Sequence, residues 1–195
     1  MIEYIGASAA LLYLLLEIKQ HRAMWVVGIF SSLAYVFIFF YSKVYANMGL
    51  NLYYVFISLY GFRQWSRRAP EPAGATPEPA IRYTHLGGKL GGILLASLGL
   101  MYLFIYYLLK NHTDSAAPAG DAVSTTIGIV ATWMLARRII EHWFFWIVAD
   151  AFSVYLYYTL QLYPTMLLYF CYTVLAFVGY YTWKQKGVKT DVGTL

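Results

Sequence analysis

The sequence carries little charge: only 12% of its 195 residues are Asp, Glu, Lys or Arg, about half the fraction typical of soluble domains. Its one cysteine, Cys171, excludes a disulfide within the chain. The first apolar stretch has no basic segment before it and no small-residue cleavage site after it, so we expect no cleavable signal peptide. A phosphate-binding loop, a GxSxG elbow and an HExxH helix are all missing from the sequence, which argues against an enzyme.

Apolar residues, in contrast, are abundant, at 61% of the chain, and aromatic residues make up 19%. Seven apolar stretches approach the ~20 residues that a helix needs to cross the hydrocarbon core of a bilayer. The sequence therefore predicts an all-α integral membrane protein with seven transmembrane helices. The predicted spans are about Ile2–Ile18, Met24–Tyr41, Met48–Phe62, Leu90–Leu109, Ala122–Ala136, Trp143–Leu162 and Pro164–Trp183.

The basic residues are distributed unevenly between the two sides that these spans define. Of the 14 Lys and Arg residues, all but Lys43 and Lys110 fall on one side. Because short cytoplasmic loops carry the excess of basic residues, the pattern predicts an outside N-terminus and a cytoplasmic C-terminus. The net charge of +5 is therefore explained by membrane topology, and we expect no nucleic-acid partner.

The stretch SRRAPEPAGATPEPAI, which follows the third span, is rich in proline and alanine. This composition predicts a semi-extended cytoplasmic linker and not a folded domain. We therefore divide the chain into a first three-helix bundle at 1–66, a linker with a connector helix at 67–110, and a second three-helix bundle with a cytoplasmic tail at 111–195.

The two predicted bundles share a repeat at an offset of 118 residues. This offset separates Trp25 from Trp143 and Trp65 from Trp183, and nine residues are identical over the 41 ungapped positions. Because the offset advances the chain by four spans, it preserves orientation in the bilayer and predicts parallel repeats in a 3+1+3 arrangement. Repeats of this kind are typical of transporters that bind substrate near the midplane between the halves. The other identical pairs are Ile29 with Ile147, Val36 with Val154, Tyr45 with Tyr163, Met48 with Met166, Leu50 with Leu168, Tyr54 with Tyr172, and Gly61 with Gly179.

One span contains a single carboxylate, Asp150, which shares a helical face with Trp143 and Trp146 because the three lie at positions i, i+3 and i+7. An ionised carboxylate near the bilayer centre costs at least ~2.5 kcal/mol, so we expect it to face a polar interior. In the repeat, Asp150 corresponds to Ser32 and Trp146 corresponds to Gly28. The two halves thus differ in a way that suits an asymmetric ligand.

A second polar stripe lies on the third span, where two amides precede Tyr54 at helical spacing. Amides can bind the edge of a polar heterocycle while indoles stack on its face, and a carboxylate with indoles favours a heteroaromatic cation. Interfacial anchoring of the tryptophans, helix capping by Asn47 and a structural partner for Asp150 are the alternatives. The candidate substrate-binding residues are Asp150 as counter-charge, Trp143 and Trp146 as stacking walls, Asn51 and Asn47 as readers of the ring edge, and Tyr54 beside them.

The remaining titratable residues give no reason to expect a metal or a cofactor. The four histidines show no ligand spacing with cysteine or carboxylates. Glu17 and Glu141 lie near the basic boundary, where we expect them to pair with Lys19, Arg22 or Arg138 at little net energy.

Three segments carry a resemblance to a known family: LEIKQHRAMWVVGIFSSLAYVFIFF, YANMGLNLYYVFISLYGFRQW and EHWFFWIVADAFSVYLYY. They resemble the Pnu family of bacterial vitamin transporters, over about half of the chain. The resemblance implies a SWEET-like 3+1+3 fold in the bacterial inner membrane, with the site between the two bundles. It also implies facilitated diffusion of nicotinamide riboside, thiamine or riboflavin, followed by trapping through a cytoplasmic vitamin kinase.

The nicotinamide riboside branch of that family has a Trp-x-x-Trp-x-x-Trp signature. Trp143 and Trp146 match two of its positions, while Ile140 and Ala149 stand at the flanking ones, and Asn51 stands where that branch suggests glutamine. These departures favour thiamine ahead of nicotinamide riboside and riboflavin. We expect a uniporter that works by alternating access, with a proton-coupled symporter as the alternative. Whether the protein forms a homo-oligomer such as a trimer stays open.

Overall fold

Seven α-helices make up most of the computed structural model, which describes residues 2–41, 45–66, 81–113, 118–159 and 161–189. Each predicted span coincides with one helix, so the prediction of seven helices is confirmed. The ends differ by several residues; the sixth helix, for example, ends at Thr159 and not at Leu162. The helices are α1 Ile2–Ile18, α2 Ala23–Tyr41, α3 Tyr45–Ser66, α4 Gly88–His112, α5 Pro118–Ala136, α6 His142–Thr159 and α7 Tyr163–Lys186.

Four of these helices, α2, α4, α5 and α7, are long and apolar enough to cross a membrane. The exposed surface of the helices is rich in large apolar side chains such as Phe37, Leu95 and Phe104. No residue of α4 is buried, and the structure describes this helix over its whole length. An apolar surface of this extent is the kind that contacts lipid or another protein.

Helix contacts are similar at positions that the 118-residue offset relates. α2 packs along α3, and α6 packs along α7. The offset relates α1 to α5, α2 to α6 and α3 to α7. Under this exchange, the contacts of α1 with α2 and α7 correspond to those of α5 with α6 and α3. α4 packs against α5.

The turns that end α1 and α5 also correspond. Gln20 and Arg138 each stand two residues beyond their helix, and both have positive φ angles, of 52° and 56°. A residue in the left-handed region stops a helix because the chain can no longer continue the same hydrogen-bond ladder. These two residues are 118 positions apart, so the repeat extends to the backbone conformation.

Tryptophan and glycine form the same contact in each half. A Cβ atom added to Gly61 would lie 2.5 Å from the Trp25 ring, and one added to Gly179 would collide with the Trp143 ring. The indole of Trp65 meets that of Trp25 edge to face at 5.3 Å. In the second half Trp183 meets Trp143 in the same way, at 5.7 Å. Three of the nine identical pairs of the repeat are thus packing residues.

Two indole hydrogen bonds join the halves at the end of the molecule where α1, α3, α5 and α7 finish. Trp65 Nε1 donates to the carbonyl oxygen of Ala136 at 3.2 Å, and Trp183 Nε1 donates to that of Ile18 at 3.1 Å. Since Ala136 and Ile18 are themselves 118 residues apart, the two bonds are equivalent under the repeat. Each satisfies a carbonyl group that a helix end leaves without an intrahelical partner.

Two short strands lie at this same end, which we call the strand-bearing end. β1 (Arg82–Tyr83) pairs in parallel with β2 (Val188–Lys189). The Gln20 side chain bonds to both backbone groups of Arg82, with its Nε2 donating to the carbonyl oxygen at 2.6 Å and its Oε1 accepting from N at 2.8 Å. The predicted linker falls mostly on residues 67–80, outside the described residues, but the segment just after it forms β1, which the sequence did not predict.

The residues after β1 also bind the turn between α5 and α6. Thr84 N donates to Arg138 O and Ile140 N donates to Thr84 O, each at 3.0 Å. Arg138 is buried, and its guanidinium lies 5.5 Å from the centre of the Trp65 ring. Burial, together with the neighbouring Arg82, lowers the pKa of Arg138 to about 10. One short segment therefore contacts the first half, the second half and the end of α7.

Candidate functional site

A cavity of about 510 Å³ lies among six of the seven helices. Its walls come from α1, α2, α3, α5, α6 and α7, and α4 contributes none of its lining residues. A volume of this size accommodates a small organic molecule. The lining residues are Ala10, Tyr13, Leu14, Glu17, Val27, Gly28, Ser31, Ser32, Tyr35, Tyr54, Ser58, Thr132, Trp146, Asp150, Tyr169, Tyr172 and Ala176.

Three of the predicted site residues, Asp150, Trp146 and Tyr54, line this cavity. Asp150 and Trp146 lie one helical turn apart on α6, so their side chains face the cavity at neighbouring depths. Among the described side chains, none donates a hydrogen bond to the Asp150 carboxylate. The Trp146 indole N–H likewise has no partner. Both polar groups therefore remain able to bind a ligand.

The other three predicted residues lie elsewhere. Trp143 is fully buried because its ring packs over Gly179 and against Trp183, at the strand-bearing end. Asn51 donates from Nδ2 to the backbone oxygen of Asn47 at 2.9 Å, which is a bond within α3, and Asn47 is exposed. None of the three is among the residues that line the cavity. In this conformation the proposed stacking role of Trp143 and the edge-reading roles of Asn51 and Asn47 therefore have no structural basis.

The cavity combines repeat symmetry with different side chains on its two sides. The repeat pairs Tyr54 with Tyr172 and Ser58 with Ala176, and all four residues line the cavity. The pairs Gly28 with Trp146 and Ser32 with Asp150 do so as well. The Cβ atom that Gly28 lacks would lie 2.9 Å from Ser58 Oγ and 3.4 Å from the Tyr13 ring, so this glycine lets α1 and α3 approach. The asymmetry that the sequence predicts for the site is present in the lining.

Two tyrosines of α3 hold the cavity wall against α5. Tyr53 donates from its hydroxyl group to the carbonyl oxygen of Ile129 at 2.7 Å. A Cβ atom on Gly128 would lie 2.7 Å from the hydroxyl oxygen of Tyr54, so this glycine makes room for the phenol. These contacts fix Tyr54 at the boundary between the two halves.

Glu17 is a cavity residue that the sequence analysis missed. The prediction that it pairs with Lys19, Arg22 or Arg138 was wrong: its Oε1 lies 3.1 Å from His142 Nε2, and both residues are buried. The repeat offered a signal, because Glu17 corresponds to Leu135, a difference of the same kind as Asp150 against Ser32. Glu141 also pairs with a histidine, His85, at 2.8 Å.

Both ring nitrogens of His142 lie within hydrogen-bond distance of a partner. His142 Nδ1 lies 2.7 Å from the carbonyl oxygen of Ile139. Since a carbonyl only accepts, Nδ1 carries a proton. His142 Nε2 faces Glu17, whereas no basic side chain of the described residues lines the cavity beside Asp150.

The chemistry of this lining suits a small aromatic cation that bears hydroxyl groups. Aromatic rings from α1, α2, α3, α6 and α7 offer stacking and cation–π contacts, and Asp150 offers the opposite charge. Ser31, Ser32, Ser58 and Thr132 add hydroxyl groups. Among the described residues, no lysine or arginine lines the cavity. The described residues also contain no group of three His, Cys, Asp or Glu side chains that would hold a metal ion.

The fold and this cavity define a multi-pass membrane protein whose helices surround a binding cavity, the class that includes solute transporters. The chain belongs to the family described as nicotinamide mononucleotide transporter, whose model matches residues 1–185. The resemblance to Pnu transporters seen in the sequence is thus confirmed.

Several characterised relatives are similar over most of their length. The nicotinamide riboside transporter PnuC of Escherichia coli (strain K12) is 24% identical over 204 residues, covering 93% of this chain and 84% of the relative. PnuC of Neisseria mucosa is 25% identical, covering 97% of this chain and 73% of the relative. The riboflavin/roseoflavin transporter RibM of Streptomyces davaonensis is 26% identical, covering 78% of this chain and 70% of the relative.

A solved structure supports the fold. The crystal structure of the vitamin B3 transporter PnuC is similar with a TM-score of 0.69 and 23% sequence identity. The match covers 93% of this chain and 79% of that structure.

Proposed function

We propose that this protein carries nicotinamide riboside across the membrane by facilitated diffusion. The observation that supports this most is the cavity itself, in which Asp150 is the uncompensated charge beside the Trp146 indole. Nicotinamide riboside matches this lining because it combines a flat pyridinium cation with a hydroxyl-bearing sugar. Two similar relatives, from Escherichia coli and Neisseria mucosa, are named as nicotinamide riboside transporters.

The charge of the cavity favours the riboside over the mononucleotide that the family description mentions. A phosphate monoester carries close to two negative charges at neutral pH. The lining residues that the structure describes include two carboxyl groups, Glu17 and Asp150, and no lysine or arginine that would bind a phosphate. We therefore propose that the unphosphorylated nucleoside is the substrate.

The relatives also reverse the order of substrates that the sequence alone favoured. Thiamine ranked first because Ile140, Ala149 and Asn51 depart from the nicotinamide riboside pattern. Asn51 does not line the cavity, so its difference from glutamine carries no weight in this conformation. The relatives named above carry nicotinamide riboside or riboflavin, and we accordingly propose nicotinamide riboside in place of thiamine.

The remaining parts of the proposal follow from the repeat and the charge pattern. A parallel 3+1+3 arrangement allows alternating access by rocking one three-helix bundle against the other about the cavity. The distribution of lysine and arginine supports an outside N-terminus and a cytoplasmic C-terminus. Trapping of the substrate by a cytoplasmic kinase and assembly into a trimer stay predictions.

Counterflow in liposomes tests this function. Purified protein is reconstituted into vesicles preloaded with unlabelled nicotinamide riboside, and uptake of the labelled compound is followed. We expect uptake that excess nicotinamide riboside abolishes, that thiamine and riboflavin reduce less, and that a proton gradient does not change. Uptake of thiamine without uptake of nicotinamide riboside would contradict the substrate, and accumulation driven by a proton gradient would contradict facilitated diffusion.

A further inference from the structure

Glu17 forms the part of the cavity wall nearest the strand-bearing end, and His142 contacts it from outside the lining. Glu17 is the second-last residue of α1, and His142 is the first residue of α6. Glu17 is buried from solvent, with 3% of its surface exposed, yet its side chain lines the cavity. A buried carboxyl group is costly unless each oxygen has a partner, so this group is expected to have a role in the cavity.

His142 holds this carboxyl group in one position. Its Nδ1 donates a hydrogen bond to Ile139 O, and its Nε2 lies within hydrogen-bond distance of Glu17 Oε1. The centroid of the imidazole ring lies 4.7 Å from that of the Trp143 ring and 5.0 Å from that of the Trp183 ring. The two indoles therefore pack against the imidazole and restrict its rotation. The second carboxyl oxygen, Oε2, has no hydrogen-bond partner among the described residues. It is therefore the atom that a ligand hydroxyl group can reach.

The position of Glu17 relative to Asp150 suits the two ends of a nucleoside. Asp150 follows His142 by eight residues on α6, which corresponds to about 12 Å along the helix axis. Trp146 lies between them. A cationic ring beside Asp150 and Trp146 would thus direct the sugar attached to it towards Glu17.

We infer that Glu17 is a specificity-determining residue, which accepts a hydrogen bond from a sugar hydroxyl group of the substrate through Oε2. His142 is its positioning residue. The inference rests on the proposed function, because it assigns the hydroxyl-bearing end of the same substrate. Asp150 recognises the charge that all nicotinamide cations share, whereas Glu17 distinguishes those that carry a sugar.

Two ligands and two proteins test this assignment by calorimetric titration. The ligands are nicotinamide riboside and the 1-methylnicotinamide cation, which has the same charged ring without a sugar. The proteins are the wild type and E17L, which introduces the residue found at the repeat-related position Leu135. We expect E17L to weaken binding of nicotinamide riboside about tenfold or more and to change binding of 1-methylnicotinamide less than about twofold.

Two further variants make the result interpretable. E17Q retains the size of the side chain and a hydrogen-bonding contact with His142, so it remains informative if E17L does not fold. Because an amide oxygen is a weaker acceptor than a carboxylate, we expect E17Q to lose affinity for nicotinamide riboside selectively, but by a smaller factor. E141Q is the matched control, since Glu141 also pairs with a histidine and lies outside the cavity, and it should leave both affinities unchanged.

The outcomes separate this inference from the proposed function. Wild-type protein that does not bind nicotinamide riboside overturns both. Wild-type protein that binds it, with E17L and E17Q variants that weaken both ligands equally or neither, overturns the role of Glu17 and leaves the transported substrate in place.

Discussion

The chemistry of the site at the level of single residues depends on the difference between Asp150 and its repeat counterpart Ser32. Both line the cavity, so the fold brings equivalent positions of the two halves together. The cavity therefore has a carboxylate on one side and a hydroxyl group on the other, so its two sides are chemically different. Because Glu17 pairs with His142, we propose that Asp150 is the carboxylate that selects a monovalent cation.

We predict that Asp150→Asn weakens binding of nicotinamide riboside by roughly 1–3 kcal/mol, since it removes the charge opposite the pyridinium ring in a partly desolvated site. Equilibrium titration of the purified variant measures this change. Asp121→Asn is the matched control, because Asp121 is exposed in the first turn of α5 and does not line the cavity. Equal affinity of the Asp150→Asn variant and the wild type would assign the carboxylate a structural or gating role.

At the scale of the helix, close packing of indole rings on glycine fixes the distance between neighbouring helices. The α2–α3 pair relies on Trp25 against Gly61, and the α6–α7 pair relies on Trp143 against Gly179. Both tryptophans have no exposed surface, so neither ring can move aside without disturbing the core. Any side chain at these glycines would therefore separate the two helices.

We predict that Gly61→Ala and Gly179→Ala each lower the free energy of unfolding by about 1–3 kcal/mol, because the added methyl group overpacks a buried contact. Thermal unfolding in detergent measures the change. Gly49→Ala is the control within α3, because a Cβ atom there meets nothing within 4 Å. We expect it to be neutral or to stabilise the helix by up to about 1 kcal/mol. Unchanged melting of both tryptophan-contact variants would contradict this role of the glycines.

At the scale of the whole molecule, hydrogen bonds at the strand-bearing end join the two halves on one side of the cavity. The bonds from Trp65 and Trp183 cross between them, and β1 bonds to Gln20 of the first half, while Thr84 beside it bonds to the α5–α6 turn of the second. For a transporter that rocks its halves, opening at this end would require these contacts to separate. The segment after the predicted linker thus has a structural role, although its sequence is unremarkable.

We predict that Gln20→Ala lowers the free energy of unfolding by roughly 1–3 kcal/mol, because two hydrogen bonds to the backbone of Arg82 are lost. Gln161→Ala provides a matched comparison, since Gln161 has a similar φ angle of 58° but is exposed. The positive φ angle is equally unfavourable for both alanines, so the difference between the two melting temperatures isolates the side-chain bonds. Equal destabilisation by the two substitutions would show that the bonds to β1 contribute little.

The sequence predicted the helices and the repeat because hydrophobic length and identical residues at one offset are local signals. It also predicted Asp150, Trp146 and Tyr54 as cavity residues, since a polar residue within an apolar span has few other places to lie. Helical periodicity shows which residues share a face, but not which neighbouring helix covers each turn of that face. Both Trp143 and Trp146 were therefore candidates for stacking, although α7 covers Trp143 through Gly179.

The partner of Glu17 and the strand β1 could not be predicted because the residues that pair with them are distant in the sequence. Glu17 meets His142 across 125 residues, and near the basic boundary a surface ion pair was the simpler expectation. β1 has only two residues and depends on β2 for its pairing, so no alternating pattern marks it. In both cases tertiary contacts, and not local composition, decide the conformation.

The most direct test of the account compares binding of nicotinamide riboside and nicotinamide mononucleotide to the purified protein at neutral pH. Both share the ring and the sugar, so they differ only in the phosphate group that the acidic cavity should reject. We predict that the riboside binds at least about tenfold more tightly than the mononucleotide. Equal or tighter binding of the mononucleotide would contradict the claim that a cavity with one uncompensated carboxylate selects a cation.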